Sequence, residues 1–131
     1  MKPFSFDAQI NTTMADGAYQ IFQIAQFTMP FYGDMVYVGS IKIQMNAPGI
    51  QAPEWIRVHE SSTPAPTIKS EAGWRSAGGA SFPTSHVPLL ASWVGVAAGA
   101  TVTVNASINN GTGGISIGVY NAPGIMYCFK T

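Results

Sequence analysis

Met35-Val36-Tyr37-Val38-Gly39-Ser40-Ile41-Lys42-Ile43-Gln44-Met45 is the stretch whose spacing decides the fold class. Met35, Tyr37, Ile41, Ile43 and Met45 fall on one face; Ser40, Lys42 and Gln44 fall on the other. Successive side chains of a strand point to opposite sides, so a period of two specifies a half-buried strand. Working outward, Thr101 to Ile108 repeats the pattern. Val102, Val104, Ala106 and Ile108 are predicted inward, and Thr103, Asn105 and Ser107 outward. Gly114 to Tyr120 and Ile125 to Phe129 read the same way, as a closing hairpin with Ile117 and Phe129 turned to the core. Trp55 to Glu60 and Val87 to Val96 are predicted strands too. Tyr19 to Met29 is ambiguous, because Gln20, Gln23 and Gln26 recur every three residues within a run of β-formers.

No segment carries a capped helical stripe of a dozen residues. Fourteen Gly and nine Pro punctuate the chain at the intervals of an all-β protein. The fold class expected is therefore an antiparallel β-sandwich. Ser61 to Ser85 holds Pro64, Pro66, Gly73, Gly78, Gly79 and Pro83 and is predicted as long loops around one short strand near Trp74. Asn46-Ala47-Pro48-Gly49-Ile50 recurs as Asn121-Ala122-Pro123-Gly124-Ile125. Pro then Gly suits the centre of a type II turn, so both copies are predicted turns.

A length of 131 residues is one domain, read as 1–131 with residues 1–15 as an extended N-terminal arm. Only 9% of residues are charged, six basic against six acidic. No basic patch exists to hold nucleic acid, nor a polybasic segment to hold a membrane surface. Val87 to Val104 is apolar enough to suggest a membrane span, but Pro88, Gly95, Gly99, Thr101 and Thr103 interrupt it. Two buried strands joined by an Ala-Gly turn are expected instead. The N-terminus Met1-Lys2-Pro3-Phe4-Ser5-Phe6-Asp7 has no apolar signal region, so synthesis in the cytoplasm without export is expected. The 54 residues from Ser76 to Phe129 contain no Asp, Glu, Lys or Arg. Interface cores are depleted in charge, so this run suggests a surface covered by other copies or by a larger assembly.

Little in the sequence points to chemistry. His59-Glu60-Ser61-Ser62 invites a hydrolase reading, but neighbouring strand residues face opposite ways and no nucleophile elbow is present. No catalytic residue, cofactor site or metal site is expected; Asp16 and Asp34 lie near turns without a ligand spacing. Cys128 reads as a small buried hydrophobe. Asn11, Asn105 and Asn110 head glycosylation sequons, read as products of a surface rich in Ser, Thr and Asn. Trp55, Trp74 and Trp93 are read as packing residues rather than as a sugar-stacking platform.

Phe27-Thr28-Met29-Pro30, then Gly33 and the strand through Tyr37, resembles the opening signature of the tumour-necrosis-factor-like and complement-globular-head jelly rolls. Leu89-Leu90, followed by Val96-Ala97-Ala98-Gly99-Ala100-Thr101-Val102-Thr103-Val104, is similar to their apolar strand, turn and outgoing strand, with Ala100 in place of an acidic residue. Ile115 to Phe129 resembles the closing strands. The resemblance implies an eight- or ten-stranded jelly roll assembling as a homotrimer, of the kind found in bacteriophage fibre knobs, spikes and decoration proteins. On it rests the expectation of a non-enzymatic virion-surface protein that contacts itself and other virion proteins. A carbohydrate- or receptor-binding adhesin, touching a host glycan or receptor, is the alternative. Leu89, Leu90, Trp93, Val94, Ile125, Tyr127 and Phe129 are the candidate subunit interface, since both their strands are nearly continuous in apolar residues.

Overall fold

The computed structural model describes residues 2–45, 56–74, 84–111 and 116–131. Nine strands run in chain order: β1 (Lys2–Met14), β2 (Tyr19–Thr28), β3 (Gly33–Met45), β4 (Ile56–Glu60), β5 (Ile68–Lys69), β6 (Glu71–Trp74), β7 (Thr84–Val96), β8 (Thr101–Asn110) and β9 (Ile117–Lys130). No helix occurs among the described residues. Sheet A has the order β1-β9-β3-β7-β5 and sheet B the order β2-β8-β4-β6. Every pairing is antiparallel.

β5 and β6 are two ends of one crossing run that leaves sheet A at Lys69 and joins sheet B at Glu71. Taken as one strand they make eight in all. The first then pairs with the last, the second with the seventh, the third with the sixth and the fourth with the fifth. An antiparallel ribbon rolled onto itself gives this nesting, which is the jelly-roll form of the β-sandwich.

The alternation read in the sequence sets the core. Met35, Tyr37, Ile41, Ile43 and Met45 from sheet A face Val102, Val104, Ala106 and Ile108 from sheet B, all of them buried. Val87 to Val104 forms β7, a turn closed by Gly99 at φ 83°, and β8; the turn carries the chain from one sheet to the other.

Bulges account for the segments that alternation misreads. In β2 the register slips between Gln23 and Ala25, so Ile24 and Ala25 are both buried. One extra residue stretches the spacing from two to three, which is how Gln23 and Gln26 both come to face solvent on a single strand. In β1 the slip lies between Gln9 and Thr12, where Asn11 takes φ 49°, a left-handed conformation that Asn tolerates. Residues 2–14, expected as an arm, are thereby the edge strand of sheet A.

Three further expectations are corrected. The second Asn-Ala-Pro-Gly copy is no turn: Asn121 to Gly124 lies inside the continuous strand β9, paired with β1. Gly124 is not among the residues with positive φ; what it supplies is room. Tyr37 lies over the cross-strand pair Gly39 and Gly124, and a Cβ at Gly124 would sit 2.2 Å from the Tyr37 hydroxyl. The first copy, residues 46–50, lies outside the described residues. The closing hairpin is likewise one long strand. Phe129, expected in the core, is instead among the exposed hydrophobic residues, because it shares the outer phase of β9 with Ile125 and Tyr127 while Met126 and Cys128 take the inner one.

Candidate functional site

The two outer faces of the sandwich differ in chemistry. On sheet A, two neighbouring rows of paired residues cross the strands. One runs Pro3, Tyr127, Val36, Ser92 and Ile68; the next runs Ser5, Ile125, Val38 and Leu90. No member of either row is charged. Val38 is 47% exposed, Leu90 42% and Ile68 61%, with Val94 and Phe129 also open to solvent. Isolated surface hydrophobics are ordinary; here several share one face of one sheet.

Leu90, Val94, Ile125, Tyr127 and Phe129 of the expected interface thus face outward, alongside Val36, Val38 and Ile68, which sequence reasoning passed over. Val36 and Val38 were legible as the outer partners of Ser40 and Lys42, but a polar face was read there. Leu89 and Trp93 are corrected. Both take the inner phase of β7, are 2% and 3% exposed, and belong to the protein's own core. The Trp93 indole N–H is spent on the Pro64 carbonyl at 2.8 Å. Neither side chain is available to another subunit. Trp55 and the side chain of Trp74 lie outside the described residues.

Sheet B carries a mixed row instead, with one apolar member, Ile21, beside polar and charged ones. Ile21, Ser107, His59 and Glu71 are cross-strand partners on β2, β8, β4 and β6. His59 Nδ1 lies 3.4 Å from Glu71 Oε1. The Ser107 hydroxyl donates to the Ser61 hydroxyl at 2.7 Å. Ser61 is held in place from both sides, its N–H donating to the Asn105 carbonyl at 2.9 Å. Next to this row, where the chain crosses between sheets at Ser70, is a cavity of about 280 Å³.

Tyr19, His59, Ser61, Glu71 and Ser107 line the cavity, and Lys69 and Ser70 close the side nearest the crossing strand. Glu60 lines it as well, although Glu60 is only 3% exposed. One carboxyl oxygen, Oε1, accepts from the Ser62 N–H. The other, Oε2, is buried without a hydrogen-bond partner. His59 is paired with Glu71, and Glu60 takes part in no ion pair among the described residues.

His59 and Glu60 point to opposite sides of β4, as alternation requires, so they do not act as a pair. The acidic partner of His59 comes from the neighbouring strand, and the two serine hydroxyls bond each other rather than His59. Among the described residues no three His, Cys, Asp or Glu side chains come together to hold a metal ion. Cys128 is fully buried, and that burial pushes its thiol up, against a weaker opposing pull from Lys2.

No family model matches this chain, and no curated protein matches it. Among solved structures, one titled "Crystal Structure of FLHE" is similar over 99% of this chain and 97% of that chain, at 14% identity and a TM-score of 0.47. The jelly-roll architecture described above rests on the strand pairing of this chain.

Proposed function

We propose that this chain is a non-enzymatic structural subunit that works as a closed homo-oligomer, with the outer face of sheet A turned toward its copies. The observation that carries the reading is the pair of uncharged rows across sheet A, centred on Val38 between Leu90 and Ile125. A symmetric oligomer covers such a face at no cost in charge desolvation, and closed symmetry prevents open-ended growth. The stoichiometry proposed is three and the setting proposed is a virion surface. Both follow from the resemblance of the sequence to trimeric jelly-roll modules. The low charge of the chain suits a protein whose exposed area is reduced by assembly.

Sedimentation velocity of the full chain at micromolar concentration is the test, run beside Val38→Lys and Leu90→Glu. The native chain is expected to sediment as a trimer and both variants as folded monomers. A native chain that stays monomeric at about 100 μM, where even a weak interface worth roughly 6 kcal/mol would show, overturns the reading.

A further inference from the structure

We propose that the free edge of sheet B is a docking site for a second copy of this chain, with β2 pairing antiparallel to the β2 of that copy about a two-fold axis between Ile24 and Ala25. Among the described strands β2 is paired with β8 alone, so alternate backbone groups along its other side have no strand partner. The two sheets have four edge strands, and the other three carry guards against such pairing. β1 holds Lys2, Pro3 and Asp7 and a bulge with Asn11 in the left-handed region. β5 is two residues long and includes Lys69, and β6 opens on Glu71. β2, Tyr19-Gln20-Ile21-Phe22-Gln23-Ile24-Ala25-Gln26-Phe27-Thr28, runs for ten residues without a charge, a Pro or a Gly. Charge, Pro and shortness keep an edge single, and β2 has none of them.

The residues of the edge itself identify the occupant. Phe22-Gln23-Ile24-Ala25-Gln26-Phe27 reads nearly the same in both directions. About the two-fold axis, Phe22 on one copy opposes Phe27 on the other, Gln23 opposes Gln26, and Ile24 opposes Ala25. Opposed residues of an antiparallel pair share a face of the sheet. In an unbroken strand Phe22 and Phe27, an odd number of positions apart, would point to opposite faces. The bulge between Gln23 and Ala25 adds one residue at the centre of the palindrome and removes the mismatch. Phe22, Ile24, Ala25 and Phe27 are all buried, and Gln23 and Gln26 are both exposed. Both copies carry the bulge at the same place, so the two bulges meet at the axis and leave the register intact. A Gln amide donates and accepts, so Gln23 and Gln26 satisfy each other across the contact, and no like charges oppose one another. The paired stretch from Ile21 to Thr28 spans about 27 Å at 3.4 Å per residue, and at a thickness of about 10 Å it covers roughly 300 Å² on each copy. A standard stable interface covers about 800 Å² per partner, so this contact is weak, with a dissociation constant of about 1 mM. It uses the edge of sheet B and not the outer face of sheet A, so the two proposals stand or fall separately.

Sedimentation equilibrium of the full chain carrying Val38→Lys, in which the sheet A face makes no contact, tests the proposal from about 10 μM to about 1 mM. Monomer is expected at the low end, and about half of the chains in dimers, with nothing larger, at the high end. Adding Gln23→Lys and Gln26→Lys, both at exposed positions, sets like charges opposite each other and is expected to weaken the dimer at least tenfold. Mixing that chain with one carrying Gln23→Glu and Gln26→Glu is expected to restore dimers. Cross-linking reads the register. Gln23→Cys mixed with Gln26→Cys under oxidised glutathione is expected to join chiefly as the mixed pair, because like positions are offset by about 10 Å along the strands. Four results overturn the proposal: no association up to about 1 mM, dimers that the double-lysine chain forms equally well, growth beyond the dimer, or mixed cross-links no commoner than chance mixing gives. Should Val38→Lys fail to fold, Leu90→Glu supplies the background.

Discussion

Tyr37→Phe is expected to make this protein more stable. Tyr37 is fully buried and its hydroxyl has no hydrogen-bond partner. Leaving a buried polar group unsatisfied costs roughly 1–3 kcal/mol, and deleting it returns that amount. Against this stands the void left by one oxygen, about 10 Å³, which at 24 cal/mol per Å³ is about 0.2 kcal/mol. The ring keeps its place over Gly39 and Gly124, so little else changes. The net gain expected is about 1–2 kcal/mol, or roughly 3–6 °C in Tm for a chain of this length.

The same residue makes stability depend on alkaline pH. Burial pushes the Tyr37 hydroxyl from 10.0 up to about 12. Between those values the unfolded chain has released the proton and the native chain still holds it, so stability falls as pH rises. The contribution is fully present below pH 10 and lost by about pH 12, a change of about 2.7 kcal/mol at 1.36 kcal/mol per unit. Urea denaturation at pH 8 and at pH 11.5, native against Tyr37→Phe, measures both effects. The variant is expected to be the more stable at pH 8 and to widen its lead at the higher pH. A variant that is less stable at pH 8 would show that the hydroxyl is satisfied in the folded protein, and a lead that does not grow would refute the assignment of the alkaline loss to Tyr37.

Gly124→Ala is expected to destabilise by about 1–3 kcal/mol, since its Cβ would meet the Tyr37 ring and hydroxyl at 2.2–2.7 Å; denaturant midpoints measure this. Val102→Lys, Val104→Glu or Ile117→Lys is expected to abolish folding, because each buries an unpaired charge, whereas Phe129→Lys is expected to fold, as circular dichroism of purified protein will show. Cys128 is expected to resist a thiol reagent in the native state and to react on denaturation; rapid labelling of the folded protein would contradict its burial.

Much of this protein was legible because strand alternation is a local property. Thr101 to Ile108 and Met35 to Met45 display their inner faces within a few residues, so the all-β class, the core and the crossing turn near Gly99 needed no partner strand to be read. What resisted was set by residues far away in the chain. Whether Pro123-Gly124 makes a turn depends on the room Tyr37 requires across the sheet, since the same dipeptide serves a bend or a strand. Trp93, expected at the interface, turned inward, and Phe129, expected in the core as well as at the interface, turned outward, because continuous apolar runs do not show which phase faces inward; only the packing of one sheet on the other assigns it. The bulge at Ile24 and Ala25 hid a strand behind a period of three, and such a slip is visible only against the ladder of β8. The cavity joins Tyr19, Glu60, Lys69 and Ser107, positions separated by long stretches of chain and unremarkable singly. Their meeting is decided by the roll of the ribbon, which brings the second strand, the seventh and the crossing strand to one corner, and no spacing along the chain records that.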